Sequence, residues 1–183
     1  MKLNKIMMAA VLAFGAVSVA QAADIKDQGH GTVTFTGSII DAPCSIDPSS
    51  IDQTVDLGAV SNVALTDGGR SKPQNFDIKL VNCSVETGKT VTTTFNGPAG
   101  GIKGSLGITG GSAKGASIMM TDGNSNVIEL GKATTAQALT NGNNTLSFTA
   151  YLQGNPNGTE PEAKNVIVAG DFKSVSNFTL NYP

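Results

Sequence analysis

The chain has 183 residues, a formal net charge of −2, 14% charged and 39% hydrophobic residues, 22 Gly, two Cys, one His and no Trp. That length suits one domain with a tail, and a charge content below the usual figure of about 25%, with no cationic excess, excludes the electrostatic footprint of a nucleic-acid binder. One His and two Cys fall short of the usual zinc ligand set, so neither a metal site nor a cofactor is expected.

In chain order, residues 1–22 read as a secretory signal peptide. Lys2 and Lys5 form its positive region, residues 6–16 its apolar region, and Ala20-Gln21-Ala22 the small-x-small cleavage site. The apolar run is shorter than the roughly 20 residues a membrane span requires, and no later run is longer, so no stable membrane insertion is expected. Cleavage removes two lysines and no acids and takes the net charge to −4. Export delivers the chain to an oxidising space, where Cys44 and Cys83 are expected to form a disulfide. The chain-entropy model assigns a loop of that size about 4 kcal/mol.

The remainder alternates with period two. Strands are expected over residues 32–40, 54–57, 76–81, 91–95, 117–121, 127–130, 146–152 and 178–182. Turn residues separate them: Asp67-Gly68-Gly69, Asn96-Gly97-Pro98, Asp122-Gly123-Asn124, Asn141-Gly142-Asn143 and Asn155-Pro156-Asn157-Gly158. The Gly-rich stretch 100–115 reads as loop, and residues 133–139 as the one short helix. Short strands at this spacing around one disulfide point to an all-β antiparallel sandwich of immunoglobulin type; with no Trp to pack on the bridge, it is not an antibody-type domain.

No catalytic constellation is visible, and no enzyme is expected. His30 lies between two glycines near the mature N-terminus, a poor place to preorganise a base. Gly88-Lys89-Thr90 ends like a phosphate-binding loop, but Cys83 stands where that motif needs its first Gly. Glu160 and Glu162 read as a solvated pair in a Pro-bounded loop, and the lone Arg70 as a surface loop residue.

Both ends are more specific. The segment Gly31-Thr32-Val33-Thr34-Phe35-Thr36-Gly37-Ser38-Ile39-Ile40-Asp41-Ala42-Pro43-Cys44-Ser45-Ile46 leads into the first cysteine, and Val55-Asp56-Leu57-Gly58 follows it. Phe76-Asp77-Ile78-Lys79-Leu80-Val81-Asn82-Cys83 carries the second cysteine. At the C-terminus Gly170 stands fourteenth from the end and Tyr182 is penultimate, with Leu180, Phe178, Ser176, Ser174 and Phe172 at steps of two between them. In these features the whole mature chain resembles the structural subunits of chaperone–usher pili, the type 1 and P fimbria group. It is most similar to the major rod pilins of the P and mannose-resistant Proteus-like types. Pro183 departs from the polar last residue of that pattern.

The resemblance implies an incomplete immunoglobulin-like sandwich lacking its seventh strand, completed by donor-strand exchange. It divides the chain into signal peptide 1–22, N-terminal donor extension 23–37 and pilin domain 38–183. The implied donor residues are Gly29, Gly31, Val33, Phe35 and Gly37. The implied groove and chaperone-binding strand carries Gly170, Phe172, Phe178, Leu180 and Tyr182. Implied partners are identical or related pilin subunits in a polymer, a periplasmic chaperone and an outer-membrane usher. The implied destination, by way of the periplasm, is a surface fimbrium of a Gram-negative bacterium supporting adhesion. The alternatives are a minor or adaptor pilin and a glycan-binding adhesin. The latter has no room for a lectin domain and only Tyr151 and Tyr182 as non-Phe stacking aromatics.

Overall fold

The computed structural model describes residues 28–157 and 165–183. The expected signal peptide, the start of the donor extension, and Glu160 and Glu162 lie outside the described residues. The chain divides into one unit ending at Ile39 and a second, Ile40–Pro183.

In the second unit the period-two segments become antiparallel strands. β1 is Ser45–Ile46, β2 Gln74–Cys83, β3 Thr90–Asn96, β4 Leu106–Gly107 and β5 Gly110–Gly111. β6 is Ala116–Asp122, β7 Val127–Ile128, β8 Gln137–Ala138, β9 Gly142–Gly154, β10 Phe172–Lys173 and β11 Asn177–Asn181. The principal sheet runs β1-β2-β9-β6-β4, with β7 also on β6; a second sheet runs β11-β3-β8; β10 pairs β5.

Alternation decides which side chains meet between the sheets. Ile78 and Leu80 of β2, Leu146 and Phe148 of β9, and Val91 and Phe95 of β3 are buried. Phe76 faces Phe148 across β2 and β9 in register, and their rings stack at 5.4 Å. Phe95 reaches across from the second sheet, its ring edge-on to Phe148 at 5.2 Å and to Phe76 at 6.1 Å. This aromatic cluster joins the two sheets in the offset and edge-on geometries that ring quadrupoles favour.

The disulfide between Cys44 and Cys83 is present. The β2–β9 register shifts between Leu80 and Cys83, and Asn82 lies within the shift at φ 54°. Asn tolerates this left-handed conformation better than most residues. The resulting bulge re-aims the end of β2, and both cysteines are buried.

Three expectations are corrected. Residues 32–40 form no strand and their side chains are exposed, because an extended segment becomes a strand only with a ladder partner. Residues 54–57 are likewise outside any strand, although Val55 and Leu57 turn inward. Residues 133–139 are not helical and contain β8. There Thr134 N–H donates to Thr93 O at 2.9 Å, Leu139 N–H to Lys89 O at 3.0 Å, and Thr134 Oγ1 accepts from Thr93 N–H at 3.0 Å. Tertiary pairing with β3 overrides the local helix preference. A 3₁₀ stretch, Asn62–Gly68, runs into the expected turn Asp67-Gly68-Gly69, and Asp67 at φ 53° makes its kink. The Gly-rich stretch 100–115 is loop apart from the two-residue strands β4 and β5.

Asp122 closes the β6–β7 hairpin. Its carboxylate is buried and accepts from Asn124 N–H at 3.0 Å, Asn126 N–H at 2.9 Å, Asn126 Nδ2 at 3.0 Å and Thr135 Oγ1 at 2.7 Å. Burial pushes this carboxyl up, but the donated hydrogen bonds outweigh it and hold it below the ordinary aspartate value. A depressed folded-state pKa stabilises the fold above the unfolded value, and that share is lost as pH falls through the folded value. Asp122→Asn should therefore lower stability by about 1–3 kcal/mol at pH 7. Its difference from the parent should shrink below about pH 4. Thermal melts between neutral and strongly acidic pH check this; a constant difference would show that the carboxylate charge contributes nothing.

Candidate functional site

The C-terminal segment shows an unusual burial pattern. Phe172, Ser174, Ser176, Phe178, Leu180 and Tyr182 are each half-buried, while every odd-numbered residue from Asp171 to Pro183 is exposed. Core strands with this alternation, such as β9, bury their inward residues almost fully. The difference follows from strand neighbours: among the described residues, β11 pairs β3 on one edge and no strand on the other.

Across from this edge runs segment 53–60, where Val55 and Val60 are half-buried and Leu57 is buried. Its backbone joins no ladder; Gly58 N–H donates to the Asp56 carboxylate at 2.8 Å. Between the two rims lie two cavities of about 800 and 460 Å³. Both are lined by Val55, Leu57, Ile118 and Val175, so they form one groove. The larger end is bordered by small residues, among them Gly58, Ala59, Ala116, Ala169 and Gly170. The smaller end is bordered by bulky ones: Ile46, Phe76, Phe95, Met120 and Phe178.

The C-terminal rim is held against the strands beneath it. Ser174 Oγ donates to Gly107 O at 2.6 Å and Ser176 Oγ to Asn96 O at 3.1 Å. These hydroxyls occupy the inward positions between Phe172 and Phe178 and satisfy carbonyls along that face. Val168 and Lys114 exchange backbone bonds at 3.0 and 3.2 Å, and Thr109 N–H donates to Lys173 O at 3.0 Å. Two glycines permit this approach. A Cβ on Gly111, at φ 105°, would meet Asp171 O, and one on Gly170 would meet Ser112 Oγ and lie 2.9 Å from Ala113 N.

Of the five C-terminal positions singled out from sequence, Gly170 and Phe172 line the larger cavity and Phe178 the smaller. Leu180 and Tyr182 continue the same face and pack on the core without lining either cavity. Burial pushes the Tyr182 phenol above its ordinary value. Gly29, Gly31, Val33, Phe35 and Gly37 lie in the first unit, in a segment without regular structure. Val33 is 74% and Phe35 90% exposed, and Ile39, in the same odd-numbered phase, is fully exposed. Sequence reasoning left out the opposite rim, Val55 and Leu57, and the floor residues Phe95, Ile118 and Met120. The first pair was legible as an alternation ending at Gly58; the floor residues read as ordinary core.

Lys89 N–H closes a turn onto Glu86 O at 3.2 Å. Among the described residues no cluster of His, Cys, Asp or Glu could hold a metal. Tyr151 is buried, with the exposed Arg70 guanidinium 5.5 Å from its ring centre.

The close approach at Gly170 makes a direct prediction. Gly170→Ala should lower the melting temperature by several degrees, whereas Gly88→Ala, strained in φ but with open space around its Cβ position, should cost less. Equal melting curves for both would show that the rim is not tightly seated on residues 112–113.

The protein-family model described as fimbrial protein matches residues 33–183. The Fimbria A protein of Serratia marcescens is 58% identical over 182 residues, covering 100% of this chain and 99% of the relative. The Major MR/P fimbria protein of Proteus mirabilis is 50% identical over 184 residues, covering 100% and 99%. Among solved structures, a chain from a chaperone–usher pilus described for its rod uncoiling aligns at TM-score 0.69 and 37% identity, over 85% of this chain and 97% of that one. The P pilus rod subunit PapA aligns at TM-score 0.65 and 32% identity, over 78% and 100%. The incomplete immunoglobulin-like sandwich, the whole-length likeness and the family match agree: the chain belongs to the fimbrial protein family, as a structural pilin and not an enzyme.

Proposed function

We propose that this pilin polymerises into a surface rod by donor-strand exchange, the N-terminal extension of one copy filling the groove of the next. The observation that supports this most directly is the pairing of two complementary features. One is a groove whose β11 edge has no strand neighbour among the described residues. The other is an N-terminal segment whose alternate residues, Val33 and Phe35, are exposed.

The energetics favour the exchange. An incoming strand brings its own N–H and C=O groups to the β11 edge and apolar side chains to the floor. Burying Val33 and Phe35 is worth about 1.5–3 kcal/mol each, and the half-buried residues of the C-terminal stripe gain further cover. Against a typical domain stability of about 5–15 kcal/mol, that is a large increment. Gly31 and Gly37 suit places where the groove is too shallow for a side chain. Before assembly the same exposed edge is an aggregation hazard. A periplasmic chaperone that lends a strand to the groove, and an outer-membrane usher that replaces it with the next subunit, answer that hazard. The likeness to major fimbrial proteins favours the rod, rather than its tip, as this subunit's place.

Thermal unfolding of two forms tests the reading. One is the mature chain lacking residues 23–37; the other carries that segment re-attached after Pro183 through a flexible linker. A large gain in melting temperature on re-attachment is expected, and equal high stability would overturn donor-strand completion. A second test separates the two surfaces. Phe178→Asp should abolish both chaperone capture and polymer formation. Phe35→Asp should leave capture intact and stop polymerisation. Loss of capture in Phe35→Asp would place that residue in the subunit's own fold instead.

A further inference from the structure

Besides the 53–60 rim, two sheet edges bear on the groove, whose smaller end is lined by Phe76 and Ile78 of β2 as well as by Phe178 of β11. One is the outer edge of β11. The other is the β2 edge of the principal sheet, where β1 pairs only Leu80 and Val81. At ten residues β2 is longer than the five-residue β11. By length alone it is the better template for an incoming strand.

That edge is covered by side chains. Pro48–Ser50 forms a single 3₁₀ turn, begun by Asp47, whose carboxylate accepts from Ser49 N–H at 2.9 Å. The turn returns the chain onto β2. Asp47 N–H donates to Lys79 O at 2.9 Å. Lys79 N–H donates to Ser50 Oγ at 3.0 Å. Gln53 Nε2 donates to Asp77 O at 2.8 Å and to Ser50 O at 3.2 Å. Ser50 is 2% exposed, and both Ser50 and Gln53 line the smaller cavity. Of the groups that a strand would use there, Asp77 O is engaged by the Gln53 side chain, Lys79 N–H by the Ser50 side chain and Lys79 O by the Asp47 backbone, with both side chains standing at the groove wall.

We infer that Ser50 and Gln53 determine edge specificity: by occupying the β2 edge they direct an incoming donor strand to β11. This rests on the donor-strand reading and adds the residues that prevent the wrong pairing. The alternation of Thr with Val33 and Phe35 fixes which face the segment buries, but not which of two sheet edges it joins. Without the two side chains it has two ladders to choose from. Capture at β2 leaves β11 open, so that a second copy can add there and the product branches.

The test uses the full chain, exported and assembled, with a photoreactive amino acid in place of Thr34 and cross-links mapped by mass spectrometry. With Ser50 and Gln53 present, cross-links should fall on residues 172–183 of a second copy. In Gln53→Leu and Ser50→Ala, cross-links to residues 74–79 should rise about tenfold, the factor that one hydrogen bond's worth of protection represents. Branched or clumped polymers should accompany them in electron micrographs. Ser50→Thr, which keeps the hydroxyl, should restore the parent pattern; a general loss of packing would not be rescued in this way. Gln53 is exposed, so Gln53→Leu leaves the fold in place should Ser50→Ala fail to fold. Unchanged cross-linking in Gln53→Leu, with linear polymers, overturns the assignment. If the parent chain forms no cross-link to residues 172–183, the donor-strand reading itself falls, and edge selection with it.

Discussion

The outer edge of β11 governs this structure. Backbone N–H and C=O groups require partners, and a last strand with one neighbour among the described residues leaves a row of them available together with the apolar stripe they carry. The even-numbered residues from Phe172 to Tyr182 remain half-buried because of that edge, and the groove beside it runs into the core at Phe95 and Ile118. The proposed polymer is one consequence: the same hydrogen-bonding and burial that complete a sheet within a chain complete it between chains.

Such a groove is useful only if the rest of the fold holds still. Phe76, Phe95 and Phe148 hold the two sheets together, and Cys44–Cys83 ties the chain ahead of the first rim to the end of β2. Asp122 gathers the β6–β7 hairpin and the strand-like segment at Thr135 onto one carboxylate. The glycines at 111 and 170 let the C-terminal rim lie against its neighbour, and Ser174 and Ser176 satisfy carbonyls along it. On the far wall Ser50 and Gln53 satisfy the competing edge. Rim, floor and wall thus each answer a different requirement: close approach, apolar burial and polar satisfaction.

The long strands were readable from residues 76–81, 91–95, 117–121, 146–152 and 178–182 because each has its inward residues at steps of two, and a half-buried strand can do nothing else with that pattern. The disulfide was readable because export and two cysteines leave one pairing. The family resemblance, carried by residues at both ends, pointed to the C-terminal stripe at Gly170, Phe172 and Phe178. The segment 133–139 was misread because Ala-rich local propensity favours a helix, whereas its hydrogen-bonding partners on β3 lie some 40 residues away in the chain and exert no local signal.

The sequence by itself determined the alternation of the long strands, since periodicity and turn chemistry are local properties of the chain, and with export it left one bridge; the donor and groove ends came only through the family resemblance. Only the tertiary structure decided which alternating segments gain ladder partners. Residues 32–40 and 54–57 alternate as well as β3 does, yet neither is a strand. Pairing depends on what stands beside a segment, and one strand's sequence does not encode its neighbour. The same holds for the 3₁₀ turn at Pro48–Ser50: Ser50 and Gln53 acquire their role from lying against Lys79 and Asp77, a proximity that exists only after the chain has folded back onto β2.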